Sequence, residues 1–326
     1  MYTNRFLCFF CFAFTLLSQS KLDYLKLCAD ASAYYTQKEY RKSAELYARA
    51  FALLGEESRS TDIYDAACSW ALATETDSAF ALLFRLKNYS NYRHLSADKD
   101  LETLHSDSRW ARLVSGIKAN YENSLAKRDS QLVAILSDVY QSDQSIRIRK
   151  NQIATEFGWE SKEMRENDRE MLRIDSINMA IVAELIKQHG WPDRDVIGYQ
   201  GSLTLFLTIQ HCSDVRIQQR YLPMIRQAVA DGKLDASLLA ILEDRIALRT
   251  GQLQIYGSQL YRDPKTEQFY VRPLIDPDRV DFRRAEVWLA PLQEYLNQWQ
   301  VKWDSETYKQ KLPAYIEYER EIIRKE

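Results

Sequence analysis

"VIGYQGSLTLFLTI", Val196 to Ile209, is the stretch on which the fold turns. Wound as a helix, it carries apolar residues over most of its circumference, which marks a central helix buried on several sides rather than a surface helix with one apolar stripe. A chain built around such an element is mainly α. Composition agrees, because nine glycines and seven prolines in 326 residues leave little room for the turns of an all-β protein.

Upstream, "NDREMLRIDSINMAIVAELIKQHGWP" (Asn167 to Pro192) reads as one helix with a clear stop, since Gly190 suits a left-handed cap and Pro192 cannot continue. Its apolar face, with Leu172, Ile174, Met179 and Val182, is interrupted by Asp175 and Asn178. Before it, the run from Tyr121 to Lys150 sets Leu132, Ile135, Leu136 and Val139 on one face and places Asp143 and Arg147 at i and i+4. Polar groups on such faces need partners.

Downstream of the central helix, His211, Asp214 and Gln218 share a face if the helix continues. Pro223 restarts or kinks the next helix and Gly232 closes it. Asp235 is placed to cap "ASLLAILEDRIALRTG" (Ala236 to Gly251), in which Asp244 and Arg245 sit among leucines and isoleucines. Alternation from Gln252 to Tyr261, a turn around "RDPKTE" and then "QFYVRP" predict a β-hairpin near residues 253–273, with Gln252, Gln254 and Tyr256 on one face and Leu253 and Ile255 on the other. A helix starts near Asp281, and a charged helix from about Ser305 follows.

The N-terminal part repeats itself. Ala31, Tyr34, Ser43, Tyr47 and Ala50 superimpose on Ala67, Trp70, Ala79, Leu83 and Leu86 with an offset of 36 residues. This resembles the tetratricopeptide repeat, in which small residues let paired helices approach and aromatics fill the wedge between hairpins. Two repeats are too few to stand alone, so the short helical segments around Leu101, Leu104, Trp110 and Leu113 are expected to cap them. The expected organisation is a signal peptide over 1–20, a tetratricopeptide-like domain over 21–120, and a helical domain with the hairpin over 121–326. Repeat hairpins offer a surface for a protein or peptide partner, which Tyr34, Tyr35 and Tyr40 could serve, although packing between hairpins is the favoured role for them.

Arg5, the apolar run from Phe6 to Leu17 and small Ser18 and Ser20 form a secretory signal pattern, shorter than the roughly 20 apolar residues of a membrane span. The expected address is therefore secreted or periplasmic, with no membrane span after signal removal. Cys28, Cys68 and Cys212 remain after it, an odd and sparse set that argues against a disulfide framework. A formal net charge of -2 with dispersed basic residues gives no nucleic-acid signature.

Residues from about 130 to 296 look like a bacterial domain family of unknown function, sometimes found behind repeat hairpins. The matching blocks are "DQSIR" (Asp143 to Arg147), "DSIN" (Asp175 to Asn178), "HGWP" (His189 to Pro192), "IQHCSD" (Ile209 to Asp214), "LEDRIALRTGQLQIYGSQ" (Leu242 to Gln259) and "VDFRRAEVWLAPLQEY" (Val280 to Tyr295). The resemblance implies a fold unit and candidate residues but no chemistry. Where the family commonly places alanine and aspartate after the histidine, Cys212 and Ser213 stand before Asp214.

Taken together, Asp143, Gln144, Arg147, Asn178, Arg245, Gln254, Tyr256 and Gln259 are the expected ligand-binding groups of a polar pocket, and a polar small molecule is the expected ligand. His211, with Asp244 or Asp175, supplies acid–base groups if the domain is a hydrolase or transferase. Alternatively, the same residues satisfy one another as buried pairs. No HExxH or paired CxxC spacing, Gly-rich phosphate loop or nucleophile elbow occurs, so no metal or cofactor is expected.

Overall fold

The computed structural model describes residues 4–86, 89–263 and 266–324, with side chains from Ser18 onward except those of residues 322 and 323. The first three residues of the expected signal segment, and its side chains through Leu17, therefore lie outside the described residues. The chain is mainly α. In order it forms α1 (Asn4–Thr36), α2 (Tyr40–Leu54), α3 (Ser60–Leu72), α4 (Thr76–Leu83), α5 (Tyr92–Ala97), α6 (Ser108–Ala126), α7 (Ser130–Phe157), α8 (Lys162–His189), α9 (Arg194–His211), α10 (Val215–Ala230) and α11 (Ala236–Arg249). Strands β1 (Leu260–Arg262) and β2 (Phe269–Val271) follow, and then α12 (Val280–Glu286), α13 (Leu292–Asn297) and α14 (Ser305–Ile323). Among the described residues, no helix is long and apolar enough to cross a membrane.

Two compact units divide the chain: residues 1–126, 261–270 and 275–312 form one, and residues 127–260, 271–274 and 313–326 the other. In the first, α1 packs on α2, α2 on α3 and α3 on α4. Small side chains permit this close stacking: Ala44, Ala50, Ala66, Ala67 and Ala79 are fully buried, and the Ser43 and Ser69 hydroxyls meet at 3.0 Å. Tyr24, also fully buried, donates to Asp62 at 2.5 Å and accepts the Arg59 N–H at 3.0 Å. From far along the chain, α12 returns to pack on α1, placing Ala285 in this core and Trp288 edge-to-face with Tyr24, their ring centroids 6.0 Å apart.

In the second unit α9 is central, in contact with α7, α8 and α10. Phe206 and Ile209 are fully shielded, with Leu205 and Ile197 nearly so, as the all-round apolar pattern predicts. Gly201 permits close packing on α7, since a Cβ there would lie 3.2 Å from a Leu136 methyl. Near its start α9 bends at Gly198, whose φ of 73° and ψ of 172° are conformations open essentially to glycine alone. The guanidinium of Arg128 fills the space beside that glycine, 2.2 Å from where a Cβ would stand.

Four features differ from the sequence pattern. The helix does not run on past His211: Cys212 ends α9, and Asp214 caps α10 by accepting the Arg216 N–H at 2.9 Å, so His211 does not continue into one face with Gln218. Pro223 lies inside an unbroken α10. Asp235 makes no side-chain cap bond on α11 and is instead held by Arg194 at 2.6 Å. The hairpin exists, closed at its tip by a 2.9 Å bond from the Asp263 N–H to the Gln268 carbonyl, but residues 252–259 lie outside its strands.

Candidate functional site

The face of α7 that carries Asp143 meets both α8 and α9, so three helices contribute to one polar chain inside an apolar unit. Asp143, only 2% exposed, receives the Nδ1 hydrogen of His211 at 2.8 Å and the Gln144 amide at 2.6 Å; Arg147 Nη1 is ion-paired with its carboxylate at 3.0 Å and donates to its backbone carbonyl at 2.9 Å. Arg147 then reaches across to α8, where one of its terminal nitrogens lies 2.9 and 3.0 Å from the two carboxylate oxygens of Asp175. A buried polar chain thus runs from imidazole to carboxylate to guanidinium to carboxylate. Four of the expected residues, with Gln144, are brought together over sequence separations as large as 68.

The electrostatics separate the two acids. Burial, the largest influence on each, pushes both upward. At Asp143 it is outweighed by the His211 hydrogen bond and by the His211 and Arg147 charges, and the carboxyl is held below its ordinary value. At Asp175 burial wins over Arg147 and the carboxyl is raised. An ionised Asp143 can only accept, so it fixes a proton on Nδ1 of His211 and leaves Nε2 as the ring nitrogen outside the network. That second nitrogen makes no hydrogen bond among the described residues, and the His211 side chain is 17% exposed.

Asn178 lies one turn beyond Asp175 and borders a groove of about 490 Å³ with Ile135, Ser142, Ile174 and Ile181. Its Oδ1 accepts the Ser142 hydroxyl at 3.0 Å, while its Nδ2 is buried without a partner.

Asp244 occupies a different place. Fully buried on α11, it accepts the backbone N–H groups of Ile255 at 2.6 Å, Tyr256 at 2.9 Å and Ser258 at 2.9 Å. Burial nonetheless raises its carboxyl above the ordinary value, despite those three donors. This ring of amides is why residues 252–259 wrap around a side chain instead of pairing as a strand. Gln254, equally buried, completes the loop: its amide donates to the carbonyls of Gln259 at 3.1 Å and Arg272 at 2.7 Å, and its oxygen accepts the Gln259 N–H at 2.9 Å. Gln259 donates to the Ser258 hydroxyl at 3.0 Å, and Tyr256 is half-buried in the same loop. Asp244, Gln254 and Gln259 therefore build the loop, and Asp244 shares no hydrogen bond with His211.

Arg245, next to Asp244, is the exception among these groups. It is partly buried, its Nε is shut off from solvent, and it makes no hydrogen bond or ion pair among the described residues.

A second polar hollow, in the other unit, escaped the sequence pattern. A cavity of about 290 Å³ is walled by Tyr35, Tyr47 and Tyr64 and carries Asp65, Asp98, Asp100, Cys68 and His94. The Cys68 sulfur and one oxygen each of Asp98 and Asp100 lie within 4.8 Å of one another, the spacing of a potential metal ligand set. These groups already bond internally, however: Tyr64 donates to Asp98 at 2.7 Å, Tyr35 donates to Asp100, and the Cys68 thiol, pushed well up by burial, points at Asp98. Cys68 sits on an apolar helical face and Asp98 caps a short helix, so neither stands out in the sequence.

A family model described as a family of unknown function (DUF6624) matches residues 130–307, just over half the chain. No curated protein and no solved structure matches.

Proposed function

We propose a function for a chain that belongs to DUF6624, a family of unknown function: it is a secreted or periplasmic binding protein that receives a polar ligand beside His211. One observation carries this reading. The imidazole is held on one side by a buried ionised carboxylate, within a polar chain that costs several kcal/mol to desolvate, and its other nitrogen is left unused at a partly open position. A network built only for stability has no need to end on an unused ring nitrogen. The tetratricopeptide-like pattern of the N-terminal helices supports a second role, contact with a protein or peptide partner.

The same geometry favours one alternative. Asp143 fixes the tautomer of His211 as an orienting carboxylate does in acid–base catalysis, so a hydrolase or transferase in which His211 Nε2 takes up a proton is the second reading.

His211→Ala in the full-length chain separates the two. Binding of a panel of peptides and glycan fragments is followed by calorimetry, and turnover of ester, amide and glycoside reporters is assayed alongside. A binding protein shows a graded loss of affinity with its melting curve retained. Turnover in the wild type that disappears in the variant establishes the alternative, and a variant that no longer folds refutes both.

A further inference from the structure

We propose that the guanidinium of Arg245 is the seat of an oxyanion, a carboxylate or phosphate group of the ligand; this rests on the reading of the family unit as a polar binding site and names the chemistry of what enters it. An arginine keeps its charge at any ordinary pH, so a partly buried one requires either a carboxylate or a ring of carbonyl acceptors. Arg245 has neither among the described residues.

The neighbouring acids of the unit are already engaged. Arg147 bonds Asp143 and Asp175, Arg272 bonds Glu319, and both oxygens of Asp244 face loop amides. The charges that act on Arg245 are those of other guanidinium groups. Burial lowers its proton affinity most, and the like charges of Arg249, Arg272 and Arg147 lower it further. Arg249 itself bonds the carbonyls of Cys212 and Ser213 and the Gln218 side chain; the carboxylate its charge acts on, Asp214, is already ion-paired with Arg216 at 2.7 Å. The region thus holds more positive charge than its own acids neutralise.

The terminal nitrogens of Arg245 are not among the atoms closed off from solvent, whereas Nε is. A planar fork with its stem packed and its tip accessible suits bidentate capture of two oxygens from outside. The ligand would supply the missing counter-charge.

The test uses the full chain, with inorganic phosphate and succinate as probes, each titrated at constant ionic strength against chloride while the melting temperature is read. At least one oxyanion raises the wild-type melting temperature above the chloride control, and Arg245→Met weakens that anion by about tenfold or more. In chloride alone Arg245→Met melts at or above the wild type, because it keeps the stem and removes an unpaired charge. Phosphate acting without succinate, or the reverse, identifies which source of oxygens the seat prefers. No stabilisation by either anion, or a variant that melts well below the wild type in chloride, overturns the proposal. If Arg245→Met keeps the anion response while His211→Ala loses it, the Arg245 seat fails and the polar site beside His211 stands.

Discussion

His211 on α9 and Asp143 on α7 meet through a 2.8 Å hydrogen bond between Nδ1 and a carboxylate oxygen, although 68 residues separate them. Asp143 also anchors Arg147 and Gln144, so it is the node of the network. Asp143→Ala leaves Arg147 with Asp175 as its one carboxylate and should cost about 3 kcal/mol in urea unfolding, with Asp143→Asn losing less. The two also differ from the wild type in acid. Because the Asp143 carboxyl is held low in the folded state, its contribution is present above the ordinary carboxylate value and disappears as pH falls through the lowered one. The asparagine variant should lack that acid limb, and an unchanged acid limb would show that the carboxylate is not charged in the folded chain.

Asp244 takes the place of a neighbouring strand for three backbone amides. Asp244→Ala leaves three N–H groups without their acceptor and should cost about 3 kcal/mol or more. Limited proteolysis is the sharper readout, because cleavage should begin between residues 252 and 259 before the helices are attacked. Resistance there equal to that of the wild type would mean the loop is held by something else.

Gly198 is constrained twice, by a φ of 73° and by the Arg128 guanidinium in the place of a side chain. Gly198→Ala should destabilise by about 2 kcal/mol from backbone strain, and more from the clash. Adding Arg128→Ala relieves the clash but not the strain, so the double variant should recover only part of the loss in thermal melting. Full recovery would place the whole cost in the side-chain contact.

Asp65 borders the acid-lined cavity of the other unit and is exposed to solvent there. Loss of surrounding water, and then the charge of Asp62, pushes its carboxyl up to about 6. A raised carboxyl means that the folded chain binds more protons than the unfolded one, so its contribution is full below about pH 4 and is lost as pH rises through 6. Asp65→Asn should abolish that decline between pH 4 and 6.5 in a melting series, and a slope unchanged by the substitution would remove Asp65 as its source.

Periodicity alone carries the helices: most of Val196 to Ile209 is buried or half-buried as its apolarity requires, with Tyr199 and Gln200 exposed, and Gly190 ends α8 at a φ of 65°. The stretch after Gly251 carries a misleading pattern. Its alternation of glutamines with Leu253 and Ile255 imitates a strand, whereas the backbone hydrogen bonds go to a carboxylate on the preceding helix and to a side-chain amide, which no two-residue period encodes. Asp143, Arg147, Asp175 and His211 were recognisable as polar residues on apolar faces, but their order in the polar chain depends on how three helices are rotated against one another. Cys68, Asp98 and Asp100 come together only because α3 packs against the segment from Lys99 to Leu104, and each has an ordinary local explanation.

The return of α12 to α1 bears on how this protein is made. Synthesis delivers the first 126 residues early, yet Tyr24 and its neighbours lack Ala285 and Trp288 until the ribosome has passed through almost the whole of the other unit. During that interval an apolar surface on α1 stays uncovered. A chaperone or a slow decoding step between those two moments would act on that surface, and fragments that stop near residue 126 should aggregate where the whole chain does not.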